Sequence, residues 1–202
     1  MLLIIDSATA ACSVALVDGA HVVDERYELI GRGHAERLMP MIQELLGTRR
    51  PSAILVDCGP GSFTGVRVGL AAAHGLAIGW RAQLSGYSSL AAVAAVGGGT
   101  RDVAVALHGG HGELFVQSFG YDPLVPLDEL QSLSPEAAAA AIEAPVVIGS
   151  AAETLVATRG HGEAIDALPR ASAAAGLPEA LRSLAPRPIY GRAPDAKPML
   201  VQ

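Results

Sequence analysis

The sequence predicts an α/β protein built on a mixed sheet with helices on its faces. Three strand patterns follow one another at the start of the chain, joined by turn signals, as in an antiparallel meander. Beyond them, helix-period and strand patterns alternate, which adds parallel strands to the same sheet. Half of the 202 residues are apolar and 17% are charged, enough for a sizeable core and too apolar for a disordered chain. Aromatic residues make up only 4%, so the core must be built from Leu, Val, Ile and Ala.

Residues 2–5 form an apolar run cut short by Asp6, and residues 13–17 a second strand. Asp18-Gly19 is a hairpin turn signal, followed by a third strand over 22–29. Leu38, Met41, Ile42, Leu45 and Leu46 then recur at helical spacing, with Pro40 inside the pattern. That helix is expected to start near Pro40 or to kink there, and to end at Gly47. Residues 53–58 read as a strand, followed by the loop Gly59-Pro60-Gly61-Ser62-Phe63-Thr64-Gly65 and a helix to about residue 79. This helix is apolar nearly all round, a pattern that implies burial. A short strand over 83–87 and a small-residue helix capped by Ser88 complete a first lobe, residues 1–98. Gly97-Gly98-Gly99-Thr100 marks the boundary with a second, smaller lobe, residues 99–202. There, strands over 103–107 and 113–119 flank a glycine-rich hairpin turn. A helix opens at Ser134-Pro135-Glu136 and runs to residue 143. A strand over 146–148, a helix to residue 159 and a short helix near 178–184 follow. No internal repeat is visible.

Composition bounds the function. No apolar run reaches membrane-spanning length, and residues 1–5 carry no basic flank, so the expectation is a cytoplasmic protein with no membrane contact. Cys12 and Cys58 have neither zinc spacing nor a disulfide framework. The net charge of −6 argues against direct nucleic-acid binding by the whole chain. The end of the chain differs: Arg182, Arg187, Arg192 and Lys197 stand against Asp195, either a solvated tail or a contact for RNA or an acidic partner. Lys197 is the only lysine, which removes phosphate-loop and Schiff-base chemistry from the body of the chain.

Two segments stand out as an anion or nucleotide site. Gly59, Gly61, Ser62, Thr64 and Gly65 lie between a strand and a helix, where backbone N–H groups gather. The loop fails as a Walker A motif, because Gly65-Val66-Arg67 replaces Gly-Lys-Ser/Thr, and as a dinucleotide fingerprint, because Thr64 replaces the third glycine. It is either a ligand loop or a tight turn that packs helix on sheet. Asp6, Ser7 and Thr9 form a turn able to hold a metal-bound phosphate, or simply a hydrogen-bonded turn. No metal site is expected: His34 lacks a second histidine one turn away, and His108 and His111 bracket two glycines. Ser62 is not in a Gly-x-Ser-x-Gly elbow. The two long helices, with Met39 and Met41 on one and Gly69, Ala72, Gly75 and Gly79 on the other, either pack on their own sheet or leave an apolar interface.

Several of these segments together resemble the TsaB (YeaZ) family. They are Leu3-Ile-Ile-Asp-Ser-Ala-Thr-Ala-Ala-Cys-Ser-Val-Ala-Leu-Val-Asp-Gly19, His34-Ala-Glu-Arg-Leu-Met-Pro-Met-Ile42, Cys58-Gly-Pro-Gly-Ser-Phe-Thr-Gly-Val-Arg-Val-Gly69, Ser88-Ser89-Leu90 and Pro188-Ile-Tyr-Gly-Arg192. The likeness is strong up to about residue 95 and weak beyond. It implies a two-lobed actin/Hsp70-like (ribonuclease H-like) fold. It also implies a non-catalytic scaffold role beside a TsaD-type subunit, which transfers a threonylcarbamoyl group to N6 of the adenosine next to the transfer-RNA anticodon. A TsaE-type ATPase is a further implied partner. Transfer RNA would be met indirectly, homodimerisation through the same face is an open alternative, and ATP or ADP would sit at most at a complex interface. The implied interface comprises His34, Leu38, Met41, Ile42, Leu45, Gly69, Ala72, Gly75 and Leu76, where a charge at Leu38 or Ala72 is expected to abolish binding and spare the fold. The iron site of TsaD relatives needs paired histidines, and here His34 stands alone. Family members usually carry an Asp-Ala-Arg stretch where this chain has residues 106–111, so the hairpin's role is in doubt. The alternative function is a nucleotide-hydrolysing or phosphotransfer enzyme of the same fold.

Overall fold

The computed structural model describes residues 1–97, 99 and 101–191. Arg192, Asp195 and Lys197 of the basic tail, and Gly98 and Thr100 of the expected boundary, lie outside the described residues.

The chain begins with β1 (Leu2–Asp6), β2 (Ala11–Asp18) and β3 (His21–Leu29), paired antiparallel as a meander. Helix α1 (His34–Leu46) leads to β4 (Ala53–Asp57), α2 (Phe63–Trp80) to β5 (Gln83–Tyr87), and α3 (Ser89–Gly97) leaves the sheet. β4 joins β1 in parallel and β5 joins β4, giving the order β3-β2-β1-β4-β5. The second sheet contains β6 (Val103–His108), β7 (Leu114–Gly120), β8 (Val125–Pro126) and β9 (Gln131–Leu133). After α4 (Pro135–Ala141) come β10 (Val146–Ile148), α5 (Ala152–Arg159) and β11 (Glu163–Ile165). Its order, β11-β10-β6-β7-β8 with β9 also on β7, repeats the plan of the first. A central strand has an antiparallel follower on one side and two parallel strands on the other. This duplication, invisible in the sequence, is the actin/Hsp70-like arrangement. Two short helices, α6 (Ala171–Ala174) and α7 (Glu179–Arg182), close the described chain. Among the described residues no helix is long and apolar enough to cross a membrane.

Alternation along the strands sorts the core into layers. Leu3, Ile5, Val14, Leu16, Ile54 and Val56 face α1 and α2. Ile4, Ala15 and Leu55 face α3 and α6, with the inner face of the second sheet beyond them. Helix α3 is buried from Ser89 to Ala94, because it lies between the sheets.

The structure revises several expectations. α1 starts at His34, not at Pro40. Leu38 is fully buried, so packing extends the helix through the proline, whose own position faces solvent. The helix buried over most of its length is α3, not α2 as expected. α2 has an inner stripe of Val66, Gly69, Leu70 and Ala73 and an exposed outer one, with Ile78 80% exposed. α4 stops at Ala141 because Ile142 turns extended (φ −97°) to enter the core. Strands β8, β9 and β11 and helix α6 are additions to the sequence reading.

The chain beyond residue 99 is not confined to the second sheet. The Arg170 guanidinium donates to Glu25 at 2.7 Å, and the N–H groups of Ala171 and Ser172 donate to Ser13 Oγ and Glu25 at 3.0 Å each. Burial alone would push the Glu25 carboxyl up, but the bonds from Arg170 and Ser172 outweigh it and hold it below the usual carboxylate range. Further on, Gly86 and Leu184 exchange backbone hydrogen bonds and Ile189 N–H donates to Cys58 O. Because Leu38 is locked between α1 and the sheet, Leu38→Ala is expected to cost about 2–5 kcal/mol of unfolding free energy. The check is a lower urea midpoint at unchanged m.

Candidate functional site

β1 and β4 run parallel side by side, so the turn after Asp6 and the glycine loop after Asp57 emerge next to each other. They touch backbone to backbone. Ser62 N–H donates to Ala8 O at 2.6 Å and Ser7 Oγ to Gly65 O at 2.9 Å. Ser62 caps α2 by accepting from Gly65 N–H at 3.2 Å. A Cβ on Gly61 would sit 2.1 Å from Ala8 O, one on Gly65 2.1 Å from Ser7 O, and one on Gly69 2.5 Å from Ser7 Oγ. Gly59 takes φ +93°. Thus the structure does bring Asp6, Ser7, Thr9, Gly59, Gly61, Ser62, Thr64 and Gly65 together. Close packing between the two loops accounts for Gly61 and Gly65. Ser62, Phe63 and Thr64 are exposed, while Asp6 and Ser7 are buried. A cavity of about 500 Å³ opens above the loops toward the second sheet, lined by Thr9, Ser62, Leu107, His108 and Ser150 among others, with no Lys or Arg among the described residues.

Beneath the loops Asp6 and Asp57 are sealed from solvent. Tyr87 Oη donates to Asp6 Oδ2 at 2.8 Å, Gly59 N–H donates to Asp57 Oδ1 at 2.7 Å, and Ser89 Oγ lies 2.8 and 2.7 Å from the two Asp57 oxygens. Burial pushes both carboxyls up from the usual range. Burial also pushes the Cys12 and Cys58 thiols up to about 12, so neither is a nucleophile near neutral pH. Among the described residues no three His, Cys, Asp or Glu side chains gather as metal ligands. His34 is buried with Nε2 on Ala11 O at 3.3 Å, and the His108 N–H donates to Ser150 Oγ.

The helix pair needs correction residue by residue. His34, Leu38, Met41, Ile42, Leu45 and Gly69 belong to this chain's own core and present no surface. A charge at Leu38 would therefore unfold the chain rather than spare it. Ala72 and Leu76 are half-buried, and Gly75 is exposed. The outward face is instead Met39, Pro40 and Gln43 of α1 with Ala71, Gly75, Ile78 and Gly79 of α2. Between the helices a groove of about 520 Å³ is lined by Met39, Ile42, Leu46, Arg49, Leu76 and Trp80. Among the described residues, no atom outside the local helix backbone lies within 4 Å of a Cβ built on Gly75 or Gly79, so the described packing requires neither glycine. Ile78 was legible as a second apolar stripe on α2 opposite the inner one. At the start of α2, exposed Phe63 carries the Arg67 guanidinium 3.3 Å from its ring centroid, and Arg67 donates to Tyr190 Oη at 3.0 Å.

The duplicated sheet plan and the loop pair at its centre define an actin/Hsp70-like α/β protein of two small lobes. A family model described as TsaD, tRNA N6-adenosine threonylcarbamoyltransferase, matches residues 27–122. The Escherichia coli tRNA threonylcarbamoyladenosine biosynthesis protein TsaB is 44% identical over 98 residues, 46% of this chain and 42% of that protein. An uncharacterised Mycobacterium tuberculosis protein is 33% identical over 98% of this chain and 95% of its own length. The crystal structure of YeaZ from Pseudomonas aeruginosa superposes with a TM-score of 0.79 at 28% identity, covering 94% of this chain and 98% of that one. The chain belongs to the TsaB (YeaZ) family, although its match spans under half the length of the E. coli and Haemophilus influenzae TsaB proteins.

Two glycine substitutions separate packing from openness. Gly65→Ala forces a Cβ into the Ser7 carbonyl and is expected to cost about 1–3 kcal/mol or more. Gly75→Ala meets open space in a helix interior and should stabilise the isolated chain by about 0.5–1 kcal/mol. Urea midpoints of the two variants check both signs.

Proposed function

We propose that this chain is a non-catalytic partner subunit in the formation of threonylcarbamoyladenosine on transfer RNA, and that it docks a TsaD-type subunit through the outward face of α1 and α2. The observation that carries this reading is an apolar strip with no role in the chain's own core. Ile78 and Met39 stand exposed beside Gly75 and Gly79, where no other described part of the chain comes within 4 Å of a Cβ built on either glycine. Glycine in a helix costs about 1 kcal/mol relative to Ala. At an open position that cost is offset only when another backbone approaches closely. Family membership supplies the partner class, since the matched relatives are named for threonylcarbamoyladenosine biosynthesis.

Two features favour a supporting role over catalysis. The Asp6–Asp57 carboxyl pair is sealed beneath the loops, out of reach of a substrate. Among the described residues the cavity above offers hydroxyls and backbone groups but no Lys or Arg to neutralise a phosphate. On this reading a TsaE-type ATPase joins the assembly, ATP or ADP is held only where subunits meet, and transfer RNA is contacted through the TsaD-type subunit. In the partner's absence the same face pairs two copies of this chain. The assembly works in the cytoplasm.

The test is threonylcarbamoyl transfer to transfer RNA by TsaD- and TsaE-type proteins, with and without this chain. Transfer is expected to require it, while the chain alone turns over neither nucleotide nor adenylate. Ile78→Glu places a charge in the middle of the proposed contact. It should weaken binding of the TsaD-type subunit by about 2 kcal/mol or more, roughly 30-fold, in a titration. Because Ile78 touches solvent, melting should change by less than about 0.5 kcal/mol. Unchanged affinity would remove α2 from the interface.

A further inference from the structure

We propose that Asp6 and Asp57 share a single proton at neutral pH, and that this proton clamps the turn after β1 to the start of α2. The proposal concerns the chain by itself and stands whatever binds its helices.

The parallel register pairs Ile5 with Val56, so the next residues on the two strands, Asp6 and Asp57, end side by side. Adjacent strands lie about 4.8 Å apart, so this register makes the two buried carboxyls neighbours, and each acts on the other's proton affinity. Their exposures are 0% and 2%. Among the described residues neither carboxyl has a hydrogen bond or ion pair to an Arg or Lys. Two adjacent carboxylates without a cation or water cannot both stay ionised at low cost.

The donors available leave one gap. Asp57 accepts from Gly59 N–H and has the Ser89 hydroxyl against both oxygens, and Asp6 Oδ2 accepts from Tyr87. The Ala8 backbone lies close to the Asp6 carboxyl, yet among the described residues Asp6 Oδ1, fully buried, makes no hydrogen bond. A proton on Asp57 supplies a donor there and removes one of the two charges at once. The other titratable groups around the pair are Tyr87 on β5, Cys58 after β4, Cys12 on β2, Tyr27 on β3 and His34 on α1. None of them is a carboxylate or a fixed cation.

The clamp follows from what is attached to each carboxyl. Ser7 comes directly after Asp6 and the glycine loop directly after Cys58, and these segments meet with no room for a Cβ at Gly61 or Gly65. With both aspartates ionised, repulsion would part the strand ends at the point where α2 is anchored.

The folded chain therefore holds a proton that the unfolded chain releases in the ordinary carboxylate range, about pH 4. The stabilisation is complete below that range and is lost as pH rises toward the raised pKa of the pair. The experiment is unfolding of the full chain from pH 5 to pH 9, comparing wild type with Asp57→Asn. The asparagine keeps the acceptor for Gly59 and Ser89 and gives Asp6 Oδ1 a permanent N–H donor. The ratio of the two unfolding constants should change by up to about tenfold per pH unit inside the window, in favour of the variant at high pH. Hydrogen-exchange protection of the Gly65 and Val66 amides, corrected for intrinsic rate, should fall with pH in wild type and stay level in the variant. Parallel stability profiles would overturn the shared proton, and pH-independent protection in wild type would overturn the clamp. Should Asp57→Asn not fold, carboxyl carbon NMR of labelled aspartates in wild type decides. One signal still in its protonated position at pH 7 supports the proposal, and two ionised signals overturn it.

Discussion

The helical side of the first sheet depends on one backbone-to-backbone contact, between the turn after β1 and the glycine loop after β4. Parallel pairing of β1 and β4 delivers the two segments to the same place. Gly61 and Gly65 then let them close until only hydrogen atoms fit between a glycine Cα and a carbonyl oxygen. The N–H of Ser62 is spent on Ala8 and that of Gly65 on the Ser62 cap, so two of the amides a ligand loop would offer are already engaged. Along the sequence the loop matches neither phosphate-loop fingerprint and reads as either a ligand loop or a tight turn. In the fold it works as a joint that fixes where α2 begins and which way it points.

Once the joint fixes α2, the helix must show its two apolar stripes to different surroundings. The stripe of Val66, Leu70 and Ala73 meets the sheet and α1. The stripe ending at Ile78 faces solvent. α1 differs, because its outward side mixes Met39 and Pro40 with Glu36, Gln43 and Glu44. Arg37 ties that helix to β3 and to its own last turn through Glu28 and Glu44. The asymmetry makes α2 the apolar half of the exposed face and α1 its more polar flank, with the Leu76–Trp80 groove between them.

The first sheet was legible because its strands are five to nine residues long, several of them continuous apolar runs, and its turns carry strong signals. The second sheet was legible only in part. β8, β9 and β11 have two or three residues each and α6 has four, too few for any period to show. The duplication of the sheet plan was hidden for the same reason, since the shortened strands keep the pairing order without the pattern. The interface was misread at Leu38, Met41, Ile42 and Leu45 because an apolar stripe records that a face is covered, not by what. α1 has one such stripe, and the sheet claims it. The Asp6–Asp57 pair had no sequence signal, because only parallel pairing of two distant strands brings it into being.

The route of the chain's last third bears on why a two-lobed fold of this class would serve as a support. Residues 170–191 pack between the two sheets and make their long-range hydrogen bonds to the first. Arg170 and Ser172 hold Glu25, Leu184 pairs with Gly86, and the stretch ending at Tyr190 covers Cys58 and reaches Arg67. Together with α3, buried between the sheets, this strap crosses from one lobe to the other and back. A catalytic two-lobed protein closes on its substrate by moving one lobe against the other, and every contact that crosses between lobes opposes that motion. Here those contacts include a hydrogen-bonded ion pair, backbone pairing and a shared apolar core. Such cross-bracing holds the first sheet, and the helices α1 and α2 packed on it, in one fixed relation to the second sheet; for the docking proposed above, that rigidity would leave little ordering entropy of this chain to overcome.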